Sequence, residues 1–216
     1  MRALTILQIP SLAVAWLLLG AGCSYKVPEE ATATGQQAFE LCAQCHGSAG
    51  EGNPKYHAPA IAGLPQWYVE AQLKKFKSGV RGGHPLDRTG MMMRPMTLTF
   101  RNDADLKTAA AYVAALPKPA LAAAQAGGDA ARGKSLFAGC TACHGADAAG
   151  NEAVKAPPLN HASDWYLVEQ LKKFKSGIRG FSPADMEGAQ MRPMMATLAD
   201  EQAIKDVVAH IVTLRR

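Results

Sequence analysis

The chain contains an internal repeat. Residues 34–116 align with residues 132–214 at a constant offset of 98 positions and without gaps. The longest shared segments read QLKKFKSGVRG from Gln72 and QLKKFKSGIRG from Gln170. A repeat of this length predicts two domains of the same fold rather than one large domain. The predicted bounds are 34–116 and 132–216, joined by an Ala/Gly/Pro-rich linker at 117–131.

Both copies are predicted to be all-α. Alanine and glycine are abundant, β-branched residues are sparse, and no segment alternates like a strand. Each copy is expected to form a small bundle of about three helices joined by long Pro/Gly loops. The expected helices run from Gln36 (or Lys134) to the paired cysteines, from Pro65 (or Asp164) to Gly79 (or Gly177), and from Asn102 (or Asp200) to Leu116 (or Leu214). So few large apolar side chains leave a thin core, which a buried prosthetic group would complete.

Four of the five cysteines form two C-x-x-C-H motifs. These are Cys42, Cys45 and His46 in the first copy, and Cys140, Cys143 and His144 in the second. Positions i and i+3 share one face of a helical turn, so both thiols can reach the vinyl groups of one porphyrin while the histidine binds the iron. A zinc site would need four ligands per copy, and a redox dithiol would give no role to the histidine. The motifs therefore predict two covalently attached haem c groups.

The second axial ligand should also recur in both copies. The histidines outside the motifs do not recur, because His57, His84, His161 and His210 align with Lys155, Ser182, Gly63 and Tyr112. Methionines do recur, as Met93 with Met191 and Met96 with Met194. A thioether ligand closes the iron site and raises its reduction potential, which favours electron transfer over oxygen chemistry. Spacing alone leaves the choice between the two methionine pairs open.

Taken together, these motifs resemble class I cytochromes c, and specifically the two-haem cytochrome c4 family. The resemblance covers nearly all of residues 34–214 and includes Gly-Asn loops near Gly50 and Gly150 and an M-x-x-M sequence in each copy. It implies a small helical cytochrome fold in each half, with the haems near the domain interface. It also implies that the first methionine of each M-x-x-M, Met93 and Met191, is the iron ligand.

The resemblance assigns roles to several other positions. Pro59 and Pro157 would each accept a hydrogen bond from Nδ1–H of the haem histidine through the backbone carbonyl. Gly35 with Phe39, and Gly133 with Phe137, match the glycine and aromatic residue that let the first helix cross the last. Tyr112 matches the facing aromatic residue of the last helix. His210 departs from that pattern at the equivalent position of the second half.

Basic residues concentrate at one helix end in each copy. They are Lys74, Lys75, Lys77 and Arg81, repeated as Lys172, Lys173, Lys175 and Arg179. These residues either form a solvated face that complements the helix dipole or dock acidic surfaces of redox partners. The alternative for Arg81 and Arg179 is that they pair with haem propionates instead. The net charge of +5 and the absence of a denser basic run argue against nucleic acid as a partner.

Residues 1–23 have the layout of an export signal: one arginine, an apolar stretch and small residues before Cys23. The sequence around Cys23 resembles a bacterial lipoprotein cleavage box, which predicts a lipid anchor on this cysteine followed by a polar tether at 24–33. Plain secretion and an uncleaved anchor are the alternatives. The expected location is the periplasmic face of the bacterial inner membrane.

The combined expectation is a two-haem electron carrier without a small-molecule substrate, and not an enzyme. Its partners would be a quinol-oxidising complex or a dehydrogenase on one side and a terminal oxidase or reductase on the other. A permanent cytochrome subunit of a respiratory complex is one alternative. A dihaem peroxidase is another, although that class needs one haem with an open distal side, whereas both copies here keep the same methionines.

Overall fold

The computed structural model describes residues 34–121 and 127–215, and within them the regular structure is helical. The first half contains α1 (Gly35–His46), α2 (Gln66–Lys77), α3 (Arg88–Leu98) and α4 (Asp103–Ala115). The second contains α5 (Ala130–Phe137), α6 (Thr141–His144), α7 (Asp164–Lys175), α8 (Met186–Met194) and α9 (Glu201–Thr213). The extended pairing found in this part of the chain is limited to isolated bridges, so the all-α prediction is confirmed. No helix in these two ranges is long and apolar enough to span a membrane.

Local capping sequences define where the helices begin. The Thr34 hydroxyl accepts from the Gln37 backbone N–H, and the Gln37 side chain accepts from the Thr34 N–H, which makes a capping box for α1. Asn102 caps α4, and its equivalent Asp200 caps α9. These side chains satisfy backbone donors that the helix itself leaves unpaired.

The methionine segments differ from the prediction. They were expected in long loops, but they form α3 and α8, so each half contains a methionine helix in addition to those expected. Asp87 and Asp185 start these helices, each accepting from a backbone N–H three residues later at 3.1 Å. This cap and the packing of the segment outweigh the interior Pro95 and Pro193, which would normally disfavour a helix.

The first helix is continuous in the first half but interrupted in the second. There, a 3₁₀ segment (Ala138–Cys140) separates α5 from α6. Gly139 occupies this segment where the first half has Leu41. Glycine weakens a helix interior because it loses more conformational freedom than other residues, and this explains the local tightening.

In each half the first helix crosses the last at a glycine, as predicted. A Cβ atom added at Gly35 would lie 2.7 Å from Tyr112 Cβ, and one at Gly133 would lie 1.9 Å from the Asp206 carbonyl oxygen. Only hydrogen fits at these positions. The close approach brings α1 against α4 and α5 against α9.

An aromatic contact accompanies each crossing. The rings of Phe39 and Tyr112 are 5.3 Å apart between centroids, and those of Phe137 and His210 are 5.5 Å apart. His210 therefore replaces tyrosine without losing the contact. Each crossing joins a separate apolar core, and each core packs against one cysteine and one methionine of its own half: Cys42 and Met93, or Cys140 and Met191.

Candidate haem sites

The first C-x-x-C-H motif forms the end of α1. Cys42, Cys45 and His46 lie on its last turns, and the helix ends at Gly47, whose N–H donates to the Ala43 carbonyl at 3.0 Å. Gly47 has φ of 85°, a backbone conformation that favours glycine. In the second copy Cys140 ends the 3₁₀ segment, Cys143 and His144 lie on α6, and Gly145 follows at φ 78°.

Both haem-motif histidines have a fixed ring orientation. Nδ1 of His46 lies 2.7 Å from the Pro59 carbonyl oxygen, and Nδ1 of His144 lies 2.9 Å from that of Pro157. Burial lowers the pKa of both histidines, and the carbonyl contact offsets this only in part. With Nδ1–H donating to the carbonyl, Nε2 of a neutral imidazole is left to bind a metal.

A tight loop positions each proline carbonyl. In the first half the N–H of Gly52 donates to the His46 carbonyl at 2.7 Å, and Asn53 and Ala58 exchange two backbone hydrogen bonds. Gly52 has φ of 86°, and a Cβ there would lie 2.4 Å from the Ala60 nitrogen. The glycine therefore permits the close return of the chain that brings Pro59 over the histidine.

Burial disfavours the thiolate form of the first cysteine in each motif. It raises the pKa of Cys42 to about 11 and raises the pKa of Cys140 as well. Zinc binds cysteine as thiolate, whereas a thioether to a porphyrin is a neutral sulfur. The described residues also contain no group of three or more His, Cys, Asp or Glu side chains suited to hold a metal ion. The sulfur environment thus fits covalent haem better than zinc.

All the predicted haem-site residues of the described chain line one continuous, mainly apolar cleft of about 620 Å³. Both halves contribute to it, so the two sites adjoin rather than lie at opposite ends of the molecule. The cleft is lined by the two cysteine pairs, both motif histidines, Pro59, Pro157, Arg81, Arg179, Met93, Met96, Met191 and Met194. Its donors, one imidazole and thioether sulfurs in each half, are those of a c-type haem.

The two arginines have protein partners at the boundary between the halves. Arg81 is buried, stacks 4.5 Å from the Phe76 ring and donates to Gln72 at 2.8 Å and Gln170 at 3.0 Å. Arg179 makes the equivalent contacts with the halves exchanged, donating to Gln170 at 3.1 Å and to Gln72 at 3.3 Å. The two halves therefore meet through an approximate two-fold arrangement of repeated residues.

The lysine-rich helix ends are not free cationic surfaces, which corrects the sequence interpretation. Lys75 and Lys173 have side chains only 17% and 12% exposed and pair across the boundary with Asp185 at 2.5 Å and Asp87 at 2.8 Å. The others bind within their own half: Lys74 to Glu70, Lys77 to the Phe100 carbonyl, Lys172 to Glu201 and Lys175 to the Leu198 carbonyl. Most of these lysine ammonium groups are therefore paired with carboxylates or carbonyl oxygens of the protein itself.

Sequence reasoning missed the two aspartates in these pairs. Asp87 and Asp185 recur at the same offset of 98 as the lysines that bind them. The sequence signal for these ion pairs is that both the lysines and the aspartates recur at the same offset. A buried ion pair present in both repeats requires both partners to be repeated. Equivalent positions of the two repeats also meet at the rim, where Lys155 lies over the Trp67 ring and His57 meets the Trp165 ring edge-on.

Comparison with known proteins agrees with this geometry. The cytochrome c family model matches the chain twice, at residues 32–117 and 130–215. Cytochrome c4 of Azotobacter vinelandii is 32% identical over 82% of this chain and 84% of that protein. The thiosulfate dehydrogenase electron acceptor of Thiomonas intermedia is 32% identical over 66% of each chain.

Two further proteins extend the comparison. The cbb3-type cytochrome c oxidase subunit FixP of a Bradyrhizobium species is 34% identical over 68% of this chain and 53% of its own. The crystal structure of reduced cytochrome c4 from Pseudomonas stutzeri superimposes with a TM-score of 0.63 and 28% identity, covering 82% of this chain and 95% of that one. The chain therefore belongs to the cytochrome c4 family of tandem two-domain cytochromes c, which carry two covalently bound haem c groups.

Proposed function

We propose that the protein is an exported electron carrier that passes single electrons between respiratory redox proteins through two His/Met-ligated haems. The observation that carries this proposal is the shared cleft, to which both halves contribute the same set of cysteines, histidine and methionines. Each bound haem supplies a one-electron cycle between ferric and ferrous iron. The chain supplies the ligands, holds their orientation and excludes water.

The ligand assignment follows from orientation and packing. His46 and His144 would bind iron through Nε2, because Nδ1 of each is held by a proline carbonyl. Met93 and Met191 are partly buried against the apolar core of their own half. Met96 and Met194 are 37% and 38% exposed. A ligand held by core packing keeps the site closed, so we assign Met93 and Met191.

Electron transfer is favoured over catalysis because the two sites are built alike. A dihaem peroxidase needs one haem with an open distal side, whereas each half here offers the same methionine to its cleft wall. The test is the reaction of the ferrous holoprotein with carbon monoxide. We expect slow and incomplete binding at both haems, and a fast stoichiometric complex at one haem would contradict the carrier function.

The relatives support a route that ends at a terminal oxidase. One relative is a cbb3-type oxidase subunit and another is an electron acceptor of thiosulfate dehydrogenase. We propose a quinol-oxidising complex or a dehydrogenase as the donor and a terminal oxidase or reductase as the acceptor. The oxidase-subunit relative also favours a second candidate, a permanent subunit of such a complex. Stoichiometric co-purification with oxidase subunits after detergent extraction would identify the subunit, and isolation as a single polypeptide would identify the carrier.

Two finer features belong to the same proposal. Arg81 and Arg179 line the cleft and would bind haem propionates through the N–H groups that do not contact the glutamines or, for Arg81, Tyr166. Cys23 lies outside the described residues, and we propose that it carries the lipid that tethers the protein to the periplasmic face of the inner membrane. The intact mass should correspond to two haems plus a chain that begins at a diacylglyceryl-modified Cys23. A mature chain beginning elsewhere would remove the anchor from the proposal.

A further inference from the structure

The helix that carries Met93 begins at a residue held by the other half. Asp87 caps α3, and its Oδ1 accepts from the Gly90 N–H at 3.1 Å. The same carboxylate is paired with Nζ of Lys173, which lies on α7 of the second half, at 2.8 Å. Lys173 also donates to the hydroxyl of Thr89 in the first turn of α3. One lysine therefore binds two residues at the start of the methionine helix of the opposite half.

The arrangement recurs with the halves exchanged. Asp185 caps α8, accepting from the Gly188 N–H at 3.1 Å. Nζ of Lys75, on α2 of the first half, lies 2.5 Å from Asp185 and 2.6 Å from Glu187 in the first turn of α8. Each half thus receives from its partner one ammonium group at the same place, the first turn of its methionine helix.

Each capping carboxylate is buried and in direct contact with a lysine of the other half. Asp87 and Asp185 are only 3% and 2% exposed. Burial by itself raises the pKa of Asp87, but the hydrogen bond and charge of Lys173 outweigh this effect, so the pKa lies below its ordinary value. A buried carboxylate that loses the cation in direct contact with it is strongly destabilised. The cap, and with it the first turn of α3, therefore depends on the second half.

The start of the helix has little freedom to adjust. A Cβ added at Gly82 would lie 2.3 Å from the Gly90 carbonyl oxygen, so the loop before α3 touches the helix backbone directly. Met93 follows Asp87 by six residues, as Met191 follows Asp185. A shift of the capping turn is transmitted along fewer than two helical turns to the methionine.

We propose that each half positions the axial methionine of the other, with Lys173 acting on Met93 through Asp87 and Lys75 acting on Met191 through Asp185. This inference rests on the proposed ligation by Met93 and Met191. It makes the lysines positioning residues that act across the domain boundary. It also means that closure of each iron site depends on contact between the halves.

The experiment replaces Lys173 by methionine, which keeps the apolar stem but removes the charge, in the full-length protein with both haems. We expect the near-infrared sulfur–iron band of the first haem to weaken or disappear, and carbon monoxide to bind that haem roughly tenfold more readily, as is usual when a group supporting a metal ligand is lost. The second haem should be unchanged. Lys75→Met should weaken the sulfur–iron band of the second haem and leave the first unchanged. Lys173→Arg, which keeps the charge, should keep both bands.

Neighbouring lysines provide matched controls. Lys172→Met and Lys74→Met remove the same charge from the same helices, but their side chains are 48% and 44% exposed and pair with Glu201 and Glu70 within their own half. Both bands should survive these changes. The bands are assigned to the two haems with Met93→Ala and Met191→Ala.

The opposite-half pattern separates positioning from simple destabilisation. If Lys173→Met affects the second haem, or both haems equally, the lysine only supports its own half and the inference is wrong. An unchanged band and carbon monoxide reaction would overturn it as well. If Lys173→Met yields no two-haem protein, Lys173→Gln is measured against the same two outcomes. A band that persists in Met93→Ala would instead contradict the proposed ligand, so the two failures are distinguishable.

Discussion

Arg81 of the first half donates a hydrogen bond of 2.8 Å to the hydroxyl of Tyr166 in the second half. Within the described residues, the equivalent pair, Arg179 and Tyr68, makes no such bond. Burial on its own raises the pKa of Tyr166, but the charges of Arg81 and Arg179 outweigh it and hold the pKa below its ordinary value. At the boundary between the halves, the Arg–Gln hydrogen bonds and the Lys–Asp ion pairs therefore follow two-fold symmetry. The Arg–Tyr hydrogen bond does not.

This asymmetry predicts unequal effects of two matched substitutions. Tyr166→Phe removes a hydrogen bond from a buried guanidinium and should lower the free energy of unfolding by about 1.5–3 kcal/mol. Tyr68→Phe should have a much smaller effect because it removes no such bond. Denaturant unfolding of the two holoprotein variants measures the difference, and equal effects would show that the Arg81–Tyr166 bond contributes nothing specific.

The proposed methionine ligands make a spectroscopic prediction. Met93→Ala and Met191→Ala should each abolish the near-infrared sulfur–iron band of one haem and lower its reduction potential, because loss of the thioether removes the ligand that favours ferrous iron. Met96→Ala and Met194→Ala serve as controls and should retain both bands. Survival of the bands in the first pair and their loss in the second would move the assignment to Met96 and Met194.

The helix crossings predict a large effect of one added methyl group. Gly133→Ala places a Cβ 1.9 Å from the Asp206 carbonyl oxygen, which belongs to helix backbone and cannot turn aside. We expect a loss of about 1–3 kcal/mol in the free energy of unfolding, typical of an overpacked contact. Ser135→Ala, at an exposed position of the same helix, should be nearly neutral. A Gly133→Ala protein as stable as the parent would mean that the helices can separate without loss.

The boundary ion pairs predict how stability depends on acid. The pKa values of Asp87, Glu169 and Glu187 lie below their ordinary values. Lys75 is the main cause for Glu187, whereas burial raises the pKa values of Asp87 and Glu169 and is outweighed by Lys173 together with neighbouring donors and charges. The unfolded chain therefore binds protons more readily than the folded one. Their contribution to stability is present above about pH 4.5 and is lost as the pH falls through the lower folded-state values.

Unfolding free energies measured from pH 7 to pH 3 check this prediction. The parent protein should lose stability below about pH 4.5. The Asp87→Asn variant should be less stable than the parent at pH 7. Its unfolding free energy should fall less between pH 4.5 and pH 3, because it lacks one carboxyl group whose pKa is lowered in the folded state. An identical pH dependence in parent and variant would show that Asp87 does not contribute through its charge.

The local chemistry of this protein could be predicted from sequence because it depends on residues close together in the chain. Cys42, Cys45 and His46 must share a helical turn to attach one haem, and Thr34 or Asn102 caps a helix through a donor only three residues away. The glycine crossings were predicted from the resemblance to class I cytochromes c, since Gly35 and Gly133 match the glycine at which the first helix of that fold crosses the last. The methionine helices were not predicted because Pro95 and Pro193 disfavour helix locally. The capping aspartates and the packing of the segment, which stabilise these helices, are seen only in the structure.

The sequence by itself determined that there are two equivalent haem-binding domains, because covalent attachment and helix formation are short-range. Only the tertiary structure decided how the domains meet. Lys173 and Asp87 are far apart in the chain, and nothing in a lysine-rich segment indicates whether its charge faces water or a buried carboxylate. That choice depends on which surfaces the two domains bury together, because an ammonium group leaves water only where a carboxylate is already positioned to receive it.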